Sequence, residues 1–284
     1  MKIGINSSAL KKFENNTLKS ILDELDVVEL SLANIDFLVE EDRVVQDALD
    51  LKESFNVEYC VHAPYQNSLV ERTRIDLASL NGINIRLMEK VISISHNIGA
   101  DPIVVHGGDY CHAKSLCNVI TNLRQVCKVA QDYGINIVIE NMFTNELNFT
   151  RIGEKPEDLV EIVEKVGMDN LGVNVDVGHA FVSSCMYDLE IIDYFRVLRD
   201  YICHLNVHNN YGVWKKPWDS HLPLFNGLID YGKLMEHLKA EKMILEVKEG
   251  SLRDIYNSIN FLRGKSVKLN EDQRHYLLEL VSEQ

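Results

Sequence analysis

Five apolar runs of this chain end on a residue able to bind a metal or move a proton. Run 57–61 ends at His62, 103–105 at His106, 135–139 at Glu140, 171–175 at Asp176 and 243–245 at Glu246. His179 follows in Asp176-Val-Gly-His179-Ala-Phe, and Asp219 and His221 stand together in Asp219-Ser-His221-Leu-Pro-Leu. A divalent-metal site needs several nitrogen and oxygen donors converging from different strands. A lone histidine at such a place is ordinarily a satisfied core or surface residue. Repetition at five strand ends argues for a shared site.

To bring these donors together, the chain must repeat one unit. Strands are expected at 2–6, 27–31, 57–63, 102–106, 135–140, 171–176, 202–208 and 243–247. Amphipathic segments lie between and after them, at 17–25, 42–55, 80–98, 115–133, 156–166, 189–199, 231–239, 252–262 and 271–281. Alternation of β-branched runs with helical patterns argues for a parallel sheet with helical crossovers. Eight repeats in 284 residues favour a closed (β/α)8 TIM barrel over an open sheet. The expected architecture is α/β: one TIM-barrel domain over 1–284, with a C-terminal helical appendage in 265–284. Active sites of this fold sit at the C-terminal ends of the strands, where the donors fall.

Composition is that of a globular protein, 46% hydrophobic and 25% charged. No run of about 18 apolar residues is present, so no membrane span is expected. The opening Met-Lys-Ile-Gly-Ile-Asn has no signal-peptide core. The six cysteines show no Cys-x-x-Cys spacing, and a reduced, cytoplasmic protein is expected. A net charge of −14 weighs against a broad nucleic-acid surface, although bound cations would reverse the local field.

The fragments His62-Ala-Pro-Tyr65 with Asn67, Val105-His106-Gly-Gly, Ile139-Glu140-Asn141, Asp176-Val-Gly-His179, Asp219-Ser-His221 and Ile244-Leu-Glu246-Val occur in this order along the chain. In order and placement the chain resembles the endonuclease IV/xylose isomerase-like superfamily of metal-dependent TIM barrels. In the endonuclease IV branch, the resemblance implies three zinc ions. His62, His106 and Glu140 would hold the first. Glu140, Asp176, Glu246 and a histidine from strand seven would hold the second. His179, Asp219 and His221 would hold the third. Phosphoester cleavage by a metal-bound hydroxide would follow, with abasic-site DNA or a small phosphoester as substrate. Tyr65, Asn67 and Asn141 are the implied substrate or supporting contacts.

The chain departs from the family in places. Strand seven reads His204-Leu-Asn206-Val-His208-Asn209-Asn210, where the family has a ligand histidine followed three residues later by Asp. Aligned on Asn209-Asn210, Asn206 takes the ligand position; aligned on His-Leu-Asn, His204 does. Residues 204, 206 and 208 share one face of a strand. His208, nearest the rim, is the favoured ligand, with His204 and Asn206 as alternatives. The family's Gly-Glu-Gly is replaced by Phe225-Asn226-Gly227. The loop holding Trp214, Lys215, Lys216 and Trp218 could stack on a base or sugar and meet a phosphate. His112 is a further candidate contact. Glu29 resembles the acidic residue that often ends strand two in the isomerase branch.

Two reactions are therefore open. A multinuclear hydrolase is favoured by the number of donors. The alternative is a sugar or sugar-phosphate isomerase or epimerase, with Glu140 and Glu246 as the acid/base pair and one Mn2+, Co2+ or Mg2+ ion. Phosphorylated substrates would want a cation at the rim, for which Lys215, Lys216 and Lys248 are candidates.

Overall fold

The computed structural model describes residues 1–11, 13–144, 150–213, 219–248 and 250–267. Eight parallel strands close a barrel in chain order. They are β1 (Lys2–Asn6), β2 (Val27–Ser31), β3 (Glu58–His62), β4 (Ala100–Val105), β5 (Ile137–Glu140), β6 (Leu171–Asp176), β7 (Ile202–Val207) and β8 (Lys242–Leu245). β1 pairs with β8, through Ile3 on Met243 and Ile5 on Leu245, and this closes the ring.

Strand alternation gives each strand two unlike faces. Ile5, Val28, Val61, Ile103, Ile139, Val175, Leu205 and Leu245 join the main core, with the helices packed against it. Each such side chain withdrawn from water contributes about 1.5–3 kcal/mol. This outer face can therefore hold the barrel shut while the inner face is given to polar groups. The inner face carries buried Asn6, Glu29, His62, Glu140, Asn174, Asp176, His204 and Asn206. Val27, Cys60 and Ile244 form a small apolar cluster apart from the main core.

The helices are α1 (Ser7–Leu10), α2 (Asn15–Leu22), α3 (Phe37–Phe55), α4 (Gly82–Ile98), α5 (Ser115–Asp132), α6 (Pro156–Val166), α7 (Val177–Tyr187), α8 (Ile191–Val197), α9 (Tyr231–Leu234) and α10 (Leu252–Leu262). Helix α7 is absent from the sequence expectation. Its sequence, VGHAFVSSCMY, is apolar or small on most sides, and Val177 to Ala180 and Val182 to Ser184 are all buried. A helix buried on most sides carries no amphipathic stripe to read. The segments expected at 189–199 and 231–239 shorten to α8 and α9. The appendage expected at 271–281 lies outside the described residues. No described helix is long and apolar enough to cross a membrane, and all six cysteines are free.

Candidate metal centre and substrate cavity

Three donors meet at the ends of β3, β4 and β5. His62 and Glu140 close their strands, and His106 follows β4 directly. His62 Nε2 lies 3.4 Å from Glu140 Oε2, and His106 Nε2 lies 3.6 Å from Glu140 Oε1. The two imidazole Nε2 atoms face each other at 3.3 Å. Tyr65 stacks on His106 at 4.6 Å, and His62 Nδ1 is held at 3.0 Å by the Ala63 carbonyl.

Burial opposes charge on both rings, and their neighbours then separate them. At His62 the hydrogen bond and charge of Glu140 outweigh burial, with Glu29 and Glu246 adding, and lift the ring to about 10. At His106 burial wins over Glu140, aided by the charges of His62 and His179, and presses the ring down to about 3. Burial would raise Glu140, but His106, His179 and His62 outweigh it and keep the carboxylate ionised, well below its usual range.

The second group turns on Asp176. Its Oδ1 accepts from the His179 backbone N–H at 2.7 Å, so Asp176 caps α7 while ending β6. The same oxygen lies 3.0 Å from His208 Nε2. Asp-x-x-His is thus one turn of helix started by its own acid. The glycine between them has a steric reason: a Cβ at Gly178 would lie 1.9 Å from Cε1 of His208. His179 Nδ1 is 3.2 Å from Glu140 Oε1, and its Nε2 is 3.6 Å from Asp219 Oδ1.

The third group hangs on the loop after β7. Asp219 and His221 both adopt left-handed backbone, φ 47° and 45°, a conformation that non-glycine residues adopt at a cost. His221 Nε2 is 2.7 Å from Asp219 Oδ2, and its ring stacks on His208 at 4.0 Å. Asn209 fastens this loop. Its backbone pairs with Leu222 in both directions, and its side chain donates to the Leu224 and Ile229 carbonyls at 2.7 and 3.1 Å.

Strand seven forms a ladder of three levels. His204 lies deep in the barrel, Nε2 3.2 Å from Glu29 Oε2. Asn206, one level up, donates to Glu29 Oε1 at 3.2 Å and to Glu246 Oε2 at 2.8 Å. His208, at the rim, sits between Asp176 and Asp219, 3.0 and 3.7 Å away. His204 is therefore no donor to the mouth. The residue beside Glu246 is Asn206. His208 lies with His179, Asp219 and His221 as well as with Asp176. Glu29 lies below the mouth, hydrogen-bonded by Asn6 at 2.7 Å.

Three donor groups at the mouth have ligand atoms within 4.8 Å of one another: His62, His106 and Glu140; Glu140, Asp176 and His179; and His179, His208, Asp219 and His221. Glu140 and His179 are shared, so the groups are continuous. Asp176 Oδ2, Asn206 Oδ1 and Asp219 Oδ1 are buried with no hydrogen bond among the described residues. Orphaned oxygens beside neutralisable imidazoles fit divalent cations.

Glu140, Glu246, His62, His106, His179, Asp219 and His221 line one cavity of about 320 Å3 at the barrel mouth, with Tyr65, Asn67 and Lys248. Asn141 is not in its wall. Its Nδ2 donates to the Asp176 carbonyl at 3.0 Å and its Oδ1 accepts from the Asp176 N–H at 2.7 Å, so it pins β6. His112 is exposed and away from the cavity. Trp214, Lys215, Lys216 and Trp218 lie outside the described residues. Sequence reasoning missed Asn174, which donates to Glu140 Oε2 at 3.0 Å, and Phe143 and Arg151 in the cavity wall. Asn174 shares the inner face with Asp176 by simple alternation; Phe143 and Arg151 stand on loops with no periodic signal.

A closed parallel barrel with nitrogen and oxygen donors gathered at its C-terminal mouth is the class these features define. The chain belongs to the xylose isomerase-like TIM barrel family, whose model matches residues 24–265. The uncharacterized protein MJ1614 of Methanocaldococcus jannaschii is 27% identical over 275 residues, covering 93% of this chain and 98% of that one. Among solved structures, a D-tagatose 3-epimerase-like protein superposes with TM-score 0.75 at 24% identity, over 99% of this chain and 100% of that chain. D-psicose 3-epimerase from Clostridium cellulolyticum H10 gives 0.69 at 14%, over 94% and 100%. These likenesses concern the fold.

Proposed function

We propose that this protein is a divalent-metal-dependent isomerase or epimerase of a small sugar. The observation that carries the reading is that Glu140 and Glu246 line one cavity of about 320 Å3, a volume near the lower end for small-molecule sites, about 300–1,000 Å3. Each carboxylate is steadied by an asparagine from a neighbouring strand, Glu140 by Asn174 on β6 and Glu246 by Asn206 on β7. The printed names of the epimerase neighbours point the same way. The fold-level likeness and the net charge of −14 give the DNA reading no comparable support.

The two carboxylates would divide the proton work. One removes the proton from a carbon that bears a hydroxyl beside a carbonyl, and the other returns a proton to the reacting skeleton. A bound cation would hold and polarise the neighbouring carbonyl and hydroxyl oxygens, with Glu140, Asp176 and Glu246 as its holders. Tyr65 and Asn67 are assigned to the sugar's remaining hydroxyls.

A hydrolase with several metals remains the second reading. It is favoured by the group His179, His208, Asp219 and His221, a second donor set beyond Glu140, Asp176 and Glu246. The deciding assay incubates the Mn2+- or Co2+-loaded protein with ketopentoses, ketohexoses and their phosphates in D2O. Deuterium appearing at the carbon beside the carbonyl, with an isomerised product, is expected. No exchange with any of them, together with hydrolysis of a phosphodiester by the zinc-loaded protein, overturns the isomerase in favour of the hydrolase.

A further inference from the structure

Arg151 lines the same cavity as Glu140 and Glu246 and belongs to none of the donor groups. Its backbone is fixed from both sides. Tyr110 N–H donates to the Thr150 carbonyl and Ile152 N–H to the Gly108 carbonyl, each at 2.9 Å, in a short antiparallel bridge between the loops after β4 and β5. Its own N–H goes to the buried carboxylate of Glu154, which Tyr187 also holds. The guanidinium carbon stands 5.5 Å from the centre of the Phe143 ring, and Phe143 packs on His179 at 4.8 Å.

This rigidly carried cation is poorly matched by its surroundings. Its side chain is only 13% exposed, and its one ion-pair partner among the described residues is Asp109, with Oδ1 3.7 Å from Nε. That distance exceeds a hydrogen bond, and the same oxygen already accepts from Gln66 Nε2 at 3.1 Å. Arg151 Nε is buried with no hydrogen bond among the described residues. Leaving a buried guanidinium N–H unused is costly. Its charge also reaches the donors, as one of the influences that hold His106 neutral.

We propose that Arg151 is the anion-recognition residue of the cavity. The substrate is then an anionic sugar, whose phosphate or carboxylate takes the guanidinium fork while its carbonyl and hydroxyl carbons reach Glu140 and Glu246. This rests on the isomerase or epimerase reading and narrows it. The planar fork matches an oxyanion with two parallel hydrogen bonds. A neutral sugar would leave the buried Nε–H without an ionic partner at hydrogen-bond distance. Lys248, also in the cavity lining, adds positive charge to the same wall. Asp109 becomes a competitor for the fork, which gives the test its sign.

The test titrates D-ribulose 5-phosphate, D-gluconate and neutral D-fructose calorimetrically into metal-loaded wild type, Arg151→Gln and Asp109→Asn. Arg151→Gln is expected to weaken at least one anionic probe about 10–100-fold and D-fructose by less than about threefold. Asp109→Asn is expected to bind that anion as tightly as wild type or more tightly. Loss confined to the phosphate ester, or to gluconate, identifies which oxyanion the site takes. The proposal is overturned if wild type binds neither anion, if Arg151→Gln binds both within about threefold of wild type, or if Asp109→Asn weakens them as much as Arg151→Gln does. The last result would make the pair purely structural. Should Arg151→Gln not fold, Arg151→Lys serves: it keeps the charge without the fork, and equal affinity losses in it and Asp109→Asn overturn the proposal. Arg151-dependent anion binding without turnover of any ketose rejects the isomerase alone. Equal turnover of neutral and anionic ketoses, unchanged in Arg151→Gln, rejects the anion site alone.

Discussion

The two halves of the barrel mouth carry their donors in different ways. His62, Glu140 and Asp176 are the last residues of regular strands, and His106 and Glu246 follow theirs directly. Their placement comes with the barrel itself, whose outer face is held by apolar packing. Asp219 and His221 instead stand on a loop, both with left-handed backbone, and that loop needs Asn209 to tie it to the end of β7. Non-glycine residues in such conformations cost on the order of 1–3 kcal/mol each. The strand-borne half could arise in any barrel of this kind. The loop-borne half is maintained against a local cost that the strand-borne half does not carry.

The largest expected effect removes the residue that joins the donor groups of the strand-borne half. Glu140 belongs to two donor groups and touches His62, His106 and His179. Glu140→Gln is expected to lower turnover by about 10³-fold or more, since it loses both a general base and a metal-holding charge. Turnover and metal content, by elemental mass spectrometry, are measured together. Full activity with metal still bound would end the role given to Glu140.

The next effect removes His221 from the loop together with His179, the α7 residue whose donor groups span both halves. If the protein is an isomerase, His179→Ala combined with His221→Ala leaves the strand-borne carboxylates in place. It is then expected to weaken substrate binding about tenfold, with kcat reduced by less than that. If the two halves form one multinuclear centre, the same variant loses a cation and its kcat collapses. A kcat against KM split, read beside metal stoichiometry, therefore says whether the halves act separately.

A third effect concerns protons. The metal-free protein holds protons on His62, which Glu140 and the other nearby carboxylates lift to about 10 against burial. Burial likewise opposes charge on His179 and His208, but Asp176 and Asp219 raise both, with Glu140 also acting on His179. Imidazole must be neutral to ligate, so metal loading at pH 7 releases protons. The apparent metal affinity is expected to fall about tenfold per pH unit for each proton released as pH drops from 8 to 6. Calorimetry in buffers of different ionisation enthalpy counts those protons. Affinity independent of pH would mean that the cation enters elsewhere.

The barrel was legible because its outer faces repeat: β-branched runs at even spacing, each ending in a donor. β1, β2 and β6 begin and end where the sequence places them. Of the strand-end residues, His62, His106, Glu140 and Glu246 line one cavity, and Asp176 lies beside Glu140 and His179 outside its wall. What failed had no periodic signal. Helix α7 is buried on most sides, so it shows no stripe. On β7, alternation correctly put 204, 206 and 208 on one face, yet three levels of one ladder look alike in sequence. Only the packing separates His204 on Glu29, Asn206 on Glu246 and His208 on Asp176. Arg151 and Phe143 are loop residues whose place depends on pairing between two connections, which no local pattern encodes.

The smallest expected effect bears on the seam where the halves touch. His208 stacks on His221 from the loop and bonds Asp176 from the strand, and its ring fits only because Gly178 has no side chain. Gly178→Ala puts a methyl group into that ring, and overpacking of this kind destabilises by about 1–3 kcal/mol. The thermal midpoint should fall, and His208→Ala in the same chain should recover part of the loss, because it removes the clashing group. A double-mutant cycle on the two positions measures the coupling. Independent losses would place the strain in the α7 backbone and not at His208. The seam would then be a matter of helix geometry, with His179 left as the residue whose donor groups reach both halves.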